Sequence, residues 1–388
     1  MENLVKPAMP SNHWQGRRVF LTGHTGFKGG WLALWLSKLG ATVRGYALDP
    51  STTPSLFEIL RLGGVMEDVR GDIRDAARLN QAMQDFAPEV VFHLAAQPLV
   101  RYSYQDPIGT YETNVIGTAR VLDAVRRTPS VRAVVSVTTD KCYENKEWIW
   151  PYRETDPLGG YDPYSSSKAC AEIVSAAFRQ SYFPVEKLGT RVGHQVALAT
   201  ARAGNVIGGG DWSDDRLLPD LIRGFLSGDP VLIRHPNAIR PWQHVLEPLH
   251  GYIQLAERLL THDPRYATAY NFGPAEADAQ PVAWIAERMT KYWGNGASWT
   301  IDEADSPHEA GYLRLDASRA HADLDWTPRL CLDQALELLV QWYRAWQTSP
   351  ETMQAFTLSQ IEQYQALPEG TVYKTAHNRQ RDQQVSSS

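Results

Sequence analysis

From Arg17 onward, short apolar runs alternate with segments whose apolar residues recur at three- and four-residue spacing. That alternation predicts strands and amphipathic helices taking turns. Arg18-Val19-Phe20-Leu21-Thr22 reads as a buried strand, and Gly29 to Leu39 as a helix closed by Gly40. Further strands are predicted at Thr42–Leu48, Val69–Ile73, Glu89–Ala95 and Ala133–Thr138, with helices at Ala76–Phe86 and Tyr111–Arg127 between them. Elements of this length in this order imply an α/β fold: a Rossmann-type, doubly wound parallel sheet covered on both faces.

The pattern is less regular after about residue 181. A strand at Val196–Asn205 runs into Gly208-Gly209-Gly210. Helices follow near Leu218–Leu226, Pro248–Leu260, Val282–Tyr292 and Leu332–Gln347, with a short strand at Val231–Arg234. This predicts a smaller C-terminal substrate lobe interleaved with returning sheet elements. The dinucleotide-binding domain is placed at 14–187 with a returning segment at about 239–270. The lobe is placed at 188–238 and 271–362, and the polar stretch 363–388 is expected to be disordered.

Composition narrows the class. The 388 residues are 43% hydrophobic and 21% charged, an ordinary globular balance. A formal net charge of −6 argues against nucleic acid as a partner, and any anionic ligand must be met by local positive groups. Three scattered cysteines, Cys142, Cys170 and Cys331, suit neither a disulfide framework nor a zinc site, so no metal is expected. The absence of a signal-like or membrane-length apolar run sets the expectation of a cytoplasmic protein away from membranes.

Three local patterns carry chemistry. Thr22-Gly23-His24-Thr25-Gly26-Phe27-Lys28-Gly29 follows the first strand and opens a helix, which lets backbone N–H groups approach a pyrophosphate. Asp49 lies 20 residues beyond Gly29 at the end of the second strand, where an acid can bind an adenosine ribose and favour NAD, with Arg44 nearby. Asp72 and Ile73 would flank the adenine and Ala95 and Ala96 would pass beneath the dinucleotide; His24 and Lys28 are potentially cationic, and Lys28 is either a solvated side chain or a charge near the phosphates. The second pattern is Tyr164 and Lys168, four residues apart on a helix with Asp162 as N-cap and Pro163 as its first residue. That spacing puts phenol and ammonium on one face, where the lysine favours the phenolate. The third is Thr139-Asp140-Lys141, a hydroxyl, an acid and an amine beyond the fifth strand, where ligands of doubly wound sheets bind. Arg240 suits a diphosphate through bidentate pairing, with Asn205 and Arg216 as further candidates.

Together with Ala95-Ala96-Gln97-Pro98, Ala203–Trp212 and Arg240-Pro241-Trp242-Gln243-His244-Val245, these segments resemble the extended short-chain dehydrogenase/reductases. Within them the chain resembles the CDP-glucose 4,6-dehydratase family over roughly residues 14 to 350. Related dTDP- and GDP-sugar dehydratases tend to have glutamate where this chain has Lys141. The resemblance implies redox-neutral dehydration of CDP-glucose by an NAD-dependent homodimer or higher homo-oligomer, for deoxysugar (lipopolysaccharide O-antigen) biosynthesis. Tyr164 would be the base at the sugar C4 hydroxyl, and Lys168 would hold the phenolate and the nicotinamide ribose. Thr139 would bond the C4 oxygen, Asp140 would protonate the leaving C6 hydroxyl, and Lys141 would manage the C5 proton. His308, Glu309 and Tyr312 resemble a segment near the nucleotide. A dehydratase or epimerase of another nucleotide sugar is the alternative. A non-catalytic NAD-binding regulator is disfavoured because both Tyr164 and Lys168 are present.

Overall fold

A computed structural model describes residues 13–190, 194–302 and 312–370. Seven strands form one parallel sheet: β1 (Arg18–Thr22), β2 (Thr42–Ala47), β3 (Glu67–Arg70), β4 (Val90–His93), β5 (Ala133–Val137), β6 (Ala197–Ala203) and, later in the chain, the strand Ala269–Phe272. Short strands β7 (Asn205–Ile207), β8 (Val231–Ile233) and β9 (Ile239–His244) come between, which makes Ala269–Phe272 β10. The sheet order is β10-β6-β5-β4-β1-β2-β3, so the order reverses between β1 and β4. Ligands bind at such a switch point, beyond the carboxyl ends of the strands.

Strand residues alternate between two cores. Val19 and Leu21, Val90 and Phe92, and Val135 face helices α1 (Phe27–Lys38) and the later helix Leu246–Leu259. Phe20, Val91 and Val134 face α2 (Ala76–Phe86) and α3 (Gly117–Arg126). All of these strand side chains are fully buried. Helix α4 (Pro163–Ser181) lies on this second side and carries the tyrosine and lysine. Its start is as expected: the Asp162 carboxylate accepts from Ser165 N at 2.9 Å, and Pro163 is its first residue.

The second lobe holds α5 (Leu217–Ser227), a three-stranded sheet of β11 (Ala279–Pro281), β9 and β7, and a parallel pair of β8 with β12 (Trp299–Ile301). The helix Leu246–Leu259 is α6, followed by α7 (Val282–Trp293), α8 (Leu332–Thr348) and α9 (Met353–Ala366).

Several boundaries differ from expectation. The third strand ends at Arg70 because Gly71 packs on the Tyr46 ring and Asp72 turns the chain, accepting from Arg74 N at 2.8 Å. The helix expected over 111–127 is interrupted by a π-bulge at Glu112–Ile116. That wider turn aims Asn114 inward, where its amide donates to the Gln97 carbonyl at 3.0 Å and to Ser167 Oγ at 2.9 Å. Strands β6 and β10, assigned in large part to the second lobe, pair with the main sheet instead. Residues 363–366, expected in the disordered tail, continue α9; Tyr364 is buried there and donates to Glu247 at 2.8 Å. Residues 371–388 of that tail lie outside the described residues.

Candidate active site

The carboxyl ends of β1, β2, β4, β5 and β6 open into a cleft of about 590 Å³ that continues into the second lobe. At one end lies the glycine loop. Gly23 has φ +80° and touches the β4 end, where an added Cβ would lie 2.7 Å from Ala95 N. Gly29 allows the loop to fold onto its own helix, since a Cβ there would meet the Gly23 carbonyl at 2.0 Å. Gly26 is different. Its Cβ would meet nothing closer than 3.5 Å, and it is the N-cap of α1, with no side chain capping the helix among the described residues. The first N–H groups of α1 therefore face the cleft without an intrahelical partner, which suits a diphosphate. Thr25, Phe27, Asp72, Ile73, Ala95 and Ala96 line the same cavity. The carboxylate of Asp49 also lines it, 89% exposed and 3.2 Å from Arg70. Arg44 points to the opposite face of the sheet, bonding Glu67 at 2.7 Å and the Ala82 carbonyl at 2.9 Å. These residues fit NAD, and Asp49 lies in the same cavity just past the end of β2.

Two cationic candidates of the loop divide. The His24 side chain turns away from the cleft into the core, where Nε2 meets Asp68 at 2.8 Å and the ring packs edge-on to Phe57. It fits there because Gly45 on β2 has no side chain. Burial lowers its pKa despite Asp68, and the side chain does not line the cleft. Lys28 does face the cleft, 3.4 Å from the Tyr252 hydroxyl. Burial, with the charges of Lys168 and Arg216, pushes its ammonium down to about 7.

Replacing Gly23 with alanine combines a left-handed backbone with a clash against the main chain of Ala95. We expect Gly23→Ala to lower unfolding free energy by about 2 kcal/mol in urea titrations. An unchanged midpoint would show that the loop can rearrange.

The chemical centre lies where β5 and α4 meet. Thr139, Asp140, Lys141, Tyr164 and Lys168 all line the cleft. The Thr139 hydroxyl donates to Asp140 at 3.0 Å and accepts from Lys141 N at 3.3 Å. Burial raises the Asp140 carboxyl above its usual range, against the opposing charge of Lys141 and the hydrogen bond from Thr139. Burial also pushes the Tyr164 phenol up to about 12, opposed by a hydrogen bond with Thr139 and by Arg216. The net direction is opposite to the lowering expected from a lysine neighbour. The lysine is aimed at the Val137 carbonyl, 3.4 Å away, and burial pushes it down to about 8.

At the far end, Asn205, Arg216 and Arg240 line the cleft as expected. Arg216 pairs with Asp211 at 3.0 Å, and Arg240 is buried on β9. Gly204 must be bare because a Cβ would lie 2.5 Å from Pro241 and 3.1 Å from Asp140 Oδ2. Tyr312 pairs with Ile239 as a β-bridge and stacks under Arg314, outside the cleft lining. His308 and Glu309 lie outside the described residues. Sequence reasoning missed Arg101, Asp215 and Arg234. Asp215 joins the other two across the cleft mouth, at 3.0 and 3.6 Å. Their charges were visible in the sequence, but their meeting depends on how the lobe closes over the sheet.

A dinucleotide cradle and a tyrosine–lysine helix over one parallel sheet define the scaffold of an NAD-dependent enzyme, and the chain belongs to the NAD dependent epimerase/dehydratase family, whose model matches residues 19–273. Within it, the chain is 55% identical to the CDP-glucose 4,6-dehydratase of Salmonella typhimurium over 86% of this chain and 92% of that protein. It is 27% identical to a dTDP-glucose 4,6-dehydratase of Xanthomonas campestris pv. campestris over 84% of this chain and 93% of that protein. Among solved structures, the UDP-glucose 4-epimerase of Thermotoga maritima with UDP-glucose matches with TM-score 0.72 at 20% identity, over 84% of this chain and 98% of that one. The dTDP-glucose 4,6-dehydratase of Bacillus anthracis in complex with NAD matches with TM-score 0.68 at 21% identity, over 85% and 97% of the two chains. Both share the fold.

Proposed function

We infer that this chain is an NAD-dependent CDP-glucose 4,6-dehydratase, converting CDP-D-glucose to CDP-4-keto-6-deoxy-D-glucose and water with no net redox change. The observation that carries the reading is the Thr139-Asp140-Lys141 triplet facing Tyr164 in one cleft, in a chain 55% identical to a protein of that name. NAD would be held by the Gly23–Gly29 loop and the residues around Asp49, Asp72 and Ala95, and when bound it would supply a hydride acceptor and donor for the sugar and positive charge near Tyr164.

The protein's own groups move the protons. Tyr164, as phenolate, takes the proton of the C4 hydroxyl while Thr139 hydrogen-bonds the C4 oxygen. The Lys168 ammonium stabilises the phenolate. The resulting 4-ketone acidifies C5. Lys141 removes the C5 proton, and Asp140, kept protonated by burial, gives its proton to the departing C6 hydroxyl. Lys141 then returns a proton to C5 as C6 is reduced. The proton gained by Tyr164 balances the one lost by Asp140, so exchange with solvent restores both groups. Arg240 and Arg216, with Asn205, hold the diphosphate end, as their place in the cleft supports.

We place the enzyme in the cytoplasm as a homo-oligomer. All three cysteines are free thiols, and among the described residues no helix is long and apolar enough to cross a membrane.

Lys141→Met removes the amine but keeps much of its apolar length. The expected result is loss of solvent deuterium incorporation at C5, read by NMR of the sugar; unchanged incorporation would assign the base elsewhere. The substrate is tested by incubation with CDP-, dTDP- and GDP-glucose. A 4-keto-6-deoxy product, read by its absorbance in alkali, is expected from CDP-glucose alone. Product from another nucleotide and none from CDP-glucose would overturn the reading.

A further inference from the structure

Beneath the catalytic centre lies an acid that the mechanism leaves unused. Glu172 sits on α4, four residues and about one turn beyond Lys168. It is 3% exposed. Three side chains from two strands converge on its carboxylate. Thr138, just past β5, donates to Oε1, while Thr200 and Arg202 on β6 reach Oε2 at 2.7 and 2.8 Å. Arg202 is itself fixed: it donates to the Tyr143 hydroxyl at 2.8 Å, and that hydroxyl donates to Asn271 on β10 at 2.7 Å.

Such an ion pair adds little stability compared with apolar side chains of similar volume. Its placement suggests another use. Thr138 directly precedes Thr139, so the bond to Glu172 ties the β5 end to the helix that carries Tyr164 and Lys168. We propose that Glu172 is a positioning residue of the reaction, holding the β5 end that carries Thr139 and setting a fixed negative charge one turn below Lys168. The inference rests on the roles given above to Thr139 and Lys168.

The surroundings of Lys168 give this charge weight. From other elements, Lys168 is faced by Lys28 of α1, His93 of β4 and Cys142 of the turn after β5. Burial keeps His93 neutral, with a pKa of about 3, and pushes the Cys142 thiol up, so neither offers a negative charge near neutral pH. Burial disfavours the ammonium, and Glu172 is the first of the groups that oppose it. Glu172 itself stays ionised, because the bonds and charge of Arg202, with Thr138 and Thr200, outweigh its burial. Arg179, on the same helix, adds a further cation near it.

The test reads Lys168 directly, as the ε-carbon NMR titration of isotope-labelled lysine, assigned by its loss in Lys168→Met. Two variants remove the charge: Glu172→Gln, which keeps the shape, and Glu172→Leu/Arg202→Met, which replaces the pair by apolar groups and protects the fold. In both we expect the Lys168 midpoint to fall by about one unit. We also expect kcat near pH 8 to drop about tenfold with KM for CDP-glucose unchanged. A midpoint that stays at the wild-type value in either folded variant overturns the proposal, even if turnover is lost, since that loss would then be structural. Failure of the wild-type protein to turn over CDP-glucose would sink the proposed reaction instead, and the titration would still decide the role of Glu172.

Discussion

Tyr164→Phe is expected to lower kcat by about 10²–10⁴-fold, with KM for CDP-glucose nearly unchanged. The phenol oxygen is the only atom removed, and the ring stays packed at the cleft wall. Neighbouring groups do not replace it as base. Asp140 is held towards its protonated form by burial, and the Lys168 ammonium points at the Val137 carbonyl. Because burial holds the phenol up to about 12, wild-type Tyr164 carries almost no phenolate near neutral pH without added positive charge. The defect should therefore persist across the accessible pH range, and alkali should not rescue the variant. Steady-state product formation at several pH values checks this. A loss of less than tenfold would give the base role to another residue.

The largest stability effect is expected from Arg202→Met. The substitution leaves the Glu172 carboxylate buried at 3% exposure, with the hydroxyls of Thr138 and Thr200 as its remaining hydrogen-bond partners among the described residues. Stranding one member of a buried ion pair costs about 3–5 kcal/mol. Arg202 also bridges Tyr143 to the sheet, so the turn after the catalytic triplet loosens with it. Urea unfolding should show this loss, and Glu172→Leu/Arg202→Met should recover most of it. Equal destabilisation of the single and double variants would mean that packing, not the stranded charge, dominates.

What could be read from the chain was local. The β1–α1 loop, the Asp162-Pro163 helix start and the i, i+4 placement of Tyr164 and Lys168 each lie within a few residues, and all formed as expected. The strand Ile239–His244 was hidden because it contains Pro241, which cannot donate to a ladder. In the sequence it stands out only through the family resemblance around Arg240, not as the centre of a three-stranded sheet. The inward turn of His24 depends on bare Gly45 and on Asp68, both distant in sequence. The Glu172–Arg202 pair spans 30 residues and exists because β6 lies beside β5, which the expected assignment of β6 to the second lobe obscured. The balance at Tyr164 was misjudged for a related reason: spacing announces a lysine neighbour but not the depth at which a phenol is buried.

The central claim is that hydride leaves C4 and returns to C6 of the same sugar. Incubation of CDP-glucose carrying deuterium at C4, with NAD in ordinary water, tests it most directly. The expected product is CDP-4-keto-6-deoxyglucose with the deuterium at C6 and the NAD pool unchanged. Deuterium retained at C4, or accumulated in reduced cofactor while the sugar keeps its C6 hydroxyl, would contradict it.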